Sequence, residues 1–76
     1  MIVENFPLEE LIRLAAARGG FHLRAALRPP EDLIRIAAAA GASGARLTIS
    51  ELGIRPMNDL VRIAAAGQGS VAFVGD

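Results

Sequence analysis

Two rhythms of apolar residues alternate along the chain. In three segments the apolar positions cluster at helical spacing. After each, a short run alternates apolar and polar positions with the period of two that marks a half-buried strand. The three helical segments line up without gaps. Pro7-Leu8-Glu9-Glu10-Leu11-Ile12-Arg13-Leu14-Ala15-Ala16-Ala17 matches Pro29-Pro30-Glu31-Asp32-Leu33-Ile34-Arg35-Ile36-Ala37-Ala38-Ala39, and both match Pro56-Met57-Asn58-Asp59-Leu60-Val61-Arg62-Ile63-Ala64-Ala65-Ala66. The prolines stand 22 and then 27 residues apart. Repetition of this quality marks one structural unit used three times.

Each unit predicts a helix. Proline suits a first turn, where its missing N–H has no partner to lose. The acids that follow complement the helix dipole, and the alanine run has the highest helix propensity of any residue. Glycines then stand where a left-handed stop belongs: Gly19-Gly20, Gly41 and Gly67. On a helical wheel Leu11, Ile12, Leu14 and Ala15 share one broad sector, as do Leu33, Ile34, Ile36 and Ala37, and Leu60, Val61, Ile63 and Ala64. A sector this wide predicts contact with a sheet below and with helices beside. Arg13, Arg35 and Arg62 fall opposite it, on the solvent side.

The strand candidates are Phe21–Ala25, Ala45–Ser50 and Val71–Val74, with a further short strand within Met1–Asn5. Phe21, Leu23, Leu47, Ile49, Val71 and Phe73 would point to one side. His22, Arg24, Arg46, Thr48 and Ser50 would point to the other. Strand and helix alternating in units this short imply right-handed crossovers and a parallel sheet. A sheet covered on both faces carries continuous apolar strands, and these strands alternate. The expected fold is therefore α/β: a short right-handed solenoid-like repeat, with a parallel sheet of three to four strands and three helices on one face. One domain is expected, its repeats running over about 7–28, 29–55 and 56–76. With Arg46-Leu47-Thr48-Ile49 in the place of a Leu-x-Leu strand, the outline resembles the leucine-rich-repeat architecture. That resemblance implies one strand and one helix per unit.

Composition narrows the function. Eight arginines balance eight acids, giving a formal net charge of zero, and cysteine, tryptophan and tyrosine are absent. No disulfide framework or cysteine metal site is possible. A polyanion binder usually carries a basic excess, and base stacking calls for aromatic platforms, so nucleic acid is not an expected partner. The first ten residues hold three glutamates and no basic residue, unlike a signal peptide. The longest apolar runs fall far short of the ~20 residues of a membrane span. A cytoplasmic protein that does not enter the membrane is expected.

Candidate chemistry is sparse. Glu9 and Glu31 precede Arg13 and Arg35 by four residues, and Glu10, Asp32 and Asp59 precede the three helical arginines by three. Local pairing is expected to neutralise that ladder. The glycine-rich stretches follow helices instead of preceding them, where a phosphate cradle would sit, and no lysine accompanies them. His22, the single histidine, has no further ligands at metal-binding spacing. Neither does it have an acid placed to make a triad with Ser43, Ser50 or Ser70. No enzyme activity, catalytic residue, cofactor or metal is expected.

Two surfaces remain. The sheet face with His22, Arg24, Arg46, Thr48 and Ser50 is the candidate interaction face, since solenoids commonly bind along such surfaces. The last strand, with Val71, Phe73 and Val74, is the candidate oligomer edge, because an apolar edge invites pairing. A chain near this size buries only about 60% of its unfolded surface, so a second copy would extend its core. A self-associating protein-interaction module is the expected function. The alternative is a binder of nucleic acid or an anionic ligand through the repeated arginines or the His22, Arg24 and Arg46 face.

Overall fold

A computed structural model describes residues 2–3, 7–25, 28–52 and 55–74, the first pair by backbone alone. The chain alternates strand and helix: β1 (Ile2–Val3), α1 (Leu8–Ala16), β2 (Phe21–Arg24), α2 (Pro30–Ser43), β3 (Leu47–Ser50), α3 (Met57–Gly67) and β4 (Val71–Phe73). The four strands form one parallel sheet in chain order, β1-β2-β3-β4. The fold is mixed α/β, as the alternation predicts.

The helices begin where the repeated prolines stand. No side chain caps them. Instead the carbonyls of Pro7, Pro29 and Pro56 each accept two amides of the first turn: Glu10 and Leu11 at 3.0 and 3.2 Å, Asp32 and Leu33 at 3.1 and 3.4 Å, Asp59 and Leu60 at 3.0 and 3.4 Å. Proline holds the extended backbone that aims its carbonyl into the turn.

The helix ends differ from expectation. Gly41 does not stop α2, which runs on to Ser43 and ends at Gly44, with φ of 84°. Gly67 lies inside α3, whose left-handed stop is Gln68, with φ of 49°. After α1 the left-handed residue is Arg18 (φ 69°), not Gly19 or Gly20. Gly41 serves packing between helices, whereas Gly67 leaves room for the Val71 side chain of β4, which a β-carbon there would overlap. A β-carbon on Gly41 would lie 2.7 Å from the carbonyl oxygen of Gly67, and one on Gly67 would lie 3.7 Å from the β-carbon of Ala37.

The strands register row by row. Phe21, Leu47 and Val71 are partners across the sheet; so are His22, Thr48 and Ala72, with Ile2 beyond His22. Leu23, Ile49 and Phe73 make the next row, and Arg24 pairs with Ser50. Phe21, Leu23, Leu47 and Ile49 are buried against Leu11, Ala15, Leu33, Ile36, Ala37, Ala40 and Ile63 from the helices. The shared register lets one side of each strand contribute to one core. Burying those side chains stabilises the fold by roughly 1.5–3 kcal/mol for each large one.

Helix α1 joins α2 through polar contacts at their C-terminal ends. Ser43 Oγ donates to the Ala15 carbonyl at 2.5 Å, and Arg18 Nε donates to the Ser43 carbonyl at 2.8 Å. The Ala15 carbonyl also accepts the Arg18 amide at 3.1 Å, so the serine adds a second donor to it. No helix among the described residues is long and apolar enough to cross a membrane.

Candidate functional site

The candidate interaction face centres on a contact between β2 and β3. His22 Nε2 lies 2.6 Å from Ser50 Oγ, a hydrogen bond whose donor depends on the imidazole tautomer. In the sheet His22 is opposite Thr48, so it reaches diagonally to Ser50, two residues further along. Strand alternation puts all three on one side. Ser50 is only 7% exposed, although a solvated position is expected there. Its hydroxyl goes under cover with a partner, as a buried polar group requires.

The other members of the face behave differently. Arg24 is exposed, and its Nε pairs with Glu51 Oε2 at 3.1 Å. Thr48 is half-buried. Arg46 is exposed at the entrance to β3, where its carbonyl accepts the Phe21 amide at 3.1 Å. Thus His22, Thr48 and Ser50 come together, Arg24 sits beside them with its own acid, and Arg46 stands at the opposite end of the strand. A Ser–His pair becomes a triad only with a group that orients the imidazole. Among the described residues His22 bonds to Ser50 alone. No three of the described His, Asp or Glu residues converge on a possible metal position.

Arg55 is a residue that sequence reasoning overlooks. Its Nη2 donates to the carbonyls of Ala25 and Arg28, at 2.7 and 2.8 Å, tying the residue before Pro56 to the chain between β2 and α2. Its Nε is buried without a partner among the described residues. A signal does exist: Arg28 and Arg55 each immediately precede a repeat's first proline.

The helical arginines are exposed, as expected, but their pairing is uneven. Arg13 Nη1 meets Glu10 Oε2 at 3.3 Å. Among the described residues Arg35 and Arg62 have no ion-pair partner, so the expected neutralisation of all three is not realised. Long side chains on a helix surface gain too little from such pairs to be held in place.

The candidate oligomer edge is partly covered. Val71 and Phe73 are half-buried against the core, Val74 is 37% exposed, and the Val74 amide donates to Ile49 at 3.0 Å. β4 ends the strand order, so its outer edge has no partner among the described residues.

Matched positions in the repeats reveal two further bare surfaces. Ala15 and Ala37 are fully buried, whereas the equivalent Ala64 is exposed. Ile12 and Ile34 are half-buried, whereas Val61 is 56% exposed; Met57 beside it is 69% exposed. The apolar sector expected to be covered on every helix is therefore uncovered along one side of α3. On α1 the opposite side is only partly covered. Leu14 is half-buried where Ile36 and Ile63 are fully buried, and it lines a surface cavity of about 500 Å³ with Glu10, Leu11, Arg13 and Ala17. Compared with known proteins, the chain matches no family model, no curated protein and no solved structure.

Proposed function

We propose that this protein is a small, non-enzymatic assembly module that associates with copies of itself through its sheet edge and C-terminal strand. The observation that carries this function is the outer edge of β4, where Val71, Phe73 and Val74 are only partly covered and no strand lies alongside. Backbone N–H and C=O groups on such an edge remain available to a further strand.

The architecture we infer is a solenoid-like repeat, one domain over residues 1–76, with its three helices packed on one side of the sheet. Support comes from the strand order. Parallel strands in sequential order, joined by right-handed crossovers, carry their connecting helices on a common side. The sheet side bearing His22 and Thr48 would then be open to a protein partner. A cytoplasmic location belongs to the same proposal, in keeping with a cysteine-free chain.

Val74→Lys tests the edge. A lysine there places charge where a strand would pair. The variant is expected to elute from a sizing column later than the parent protein, with an unchanged circular dichroism spectrum. Identical elution of the two proteins would contradict pairing at this edge.

A second reading has one observation in its favour. Arg35 and Arg62, exposed and without acidic partners among the described residues, offer guanidinium groups to an anionic ligand. Binding to a polyanion that weakens steeply with salt would establish it. Salt-independent binding, or none, would dismiss it.

A further inference from the structure

We infer that copies of this chain stack head to tail: the α3–β4 end of one copy seats on the α1–β1 end of the next, so that Met57, Val61 and Ala64 fill the cavity beside Leu14. Resting on the self-association proposed above, this gives that association a geometry and a second surface.

The occupant follows from the repeats. Within the chain, α1 packs on α2 and α2 packs on α3. Each contact uses two different helix sides. On a helical wheel the positions of Leu8, Ile12 and Ala15 share the side that Gly41 and Ala37 turn toward α3. The position shared by Leu14, Ile36 and Ile63 falls on the side that Gly67 turns toward α2. The contact of Gly41 and Ala37 with Gly67 fixes this polarity for α2 and α3, because Gly41 and Ala37 lie on the first side of α2 and Gly67 on the second side of α3.

Both bare surfaces are unused halves of that contact. Met57, Val61 and Ala64 occupy the positions of Leu8, Ile12 and Ala15, yet all three are exposed. Leu14 occupies the position of Ile36 and Ile63, yet it is half-buried beside an open cavity. Each surface thus carries apolar residues at positions whose equivalents are more covered inside the chain, with Pro30 standing in α2 where α1 has Leu8 and α3 has Met57. Ala64 keeps the small side chain that lets neighbouring helices approach closely. The cavity rim is electrically balanced, since Glu10 and Arg13 pair with each other. In a two-fold arrangement Met57 and Val61 would meet their own copies, and the Leu14 cavity would stay empty.

Stacking in this sense also brings β4 of one copy beside β1 of the next, with parallel strands continuing across the junction. The interface is heterologous, so it does not stop at two copies. It closes into a ring or extends as a filament, depending on the rotation between copies.

The chain has no cysteine, so Ala17→Cys and Ala64→Cys each supply a single thiol. Ala17 lines the cavity, Ala64 lies on the bare side of α3, and both are exposed. The two variants, one isotopically labelled, are mixed and treated with a short thiol-to-thiol cross-linker. Dimers joining A17C to A64C are expected well in excess of either homodimer. Predominant homodimers, or no cross-linked product, would overturn head-to-tail stacking. The mass of the unmodified protein separates this outcome from the broader proposal. Multimers without mixed cross-links leave self-association standing and remove the stacking, whereas a monomer removes both. Val61→Glu adds a second measure. It is expected to weaken association at least about tenfold, as loss of a central apolar contact does, with an unchanged melting temperature in the dilute monomer. Undiminished association of Val61→Glu would also overturn the stacking.

Discussion

A β-carbon on Gly41 would lie 2.7 Å from the carbonyl oxygen of Gly67, so α2 and α3 approach each other through backbone at that crossing. The obstacle is main chain and cannot rotate aside. Gly41→Ala is expected to push the helices apart and destabilise the protein by about 1–3 kcal/mol, as overpacking does. Denaturant titration measures this. Alanine at Gly41 with unchanged stability would mean that the helices are not this close in solution.

Ser50 and His22 form a coupled pair. Ser50→Ala removes one hydrogen bond and should cost about 1 kcal/mol. His22→Ala should cost about 1–3 kcal/mol, because the buried Ser50 hydroxyl loses its partner. The double variant should be less destabilised than the sum of the two, which a double-mutant cycle reads directly. Additive effects would show that the two side chains do not interact.

Arg55 holds two carbonyls of the β2–α2 connection with one nitrogen. Arg55→Ala leaves the carbonyls of Ala25 and Arg28 without this donor and is expected to cost about 1–3 kcal/mol. Arg55→Lys should recover only part of that, since an ammonium does not reproduce the planar guanidinium fork. Thermal melts of the three proteins should rank them parent, lysine, alanine. Equal melting temperatures would dismiss the clasp.

Removal of residues from Val71 onward takes away the strand that pairs with β3 and the side chains that pack on its buried Leu47 and Ile49. The truncated protein is expected to aggregate or fail to fold. A soluble truncation with the parent's melting temperature would show that β4 is dispensable.

Much of this fold is legible in the sequence because it depends on local pattern. Alternation at Phe21–Arg24 and Leu47–Ser50 marks strands, and the repeated prolines mark helix starts. Through-space effects are what the pattern leaves out. Gly41 resembles a helix stop until the backbone of Gly67 is seen against it. Ser50 occupies a polar position in the alternation, but His22 crosses the sheet to cover and bond it. Arg55 has no role until the carbonyls of Ala25 and Arg28 are brought within its reach. Ala64 repeats a buried position and Val61 a half-buried one, yet both are exposed, with no element beyond α3 among the described residues to cover them.

Self-association of the chain underlies both the proposed function and the stacking. Light scattering over roughly a hundredfold range of concentration tests it most directly, because mass action makes any such assembly concentration-dependent. A mass that rises above that of one chain, through species larger than a dimer, is the result expected here. The mass of a single chain at every concentration would contradict it.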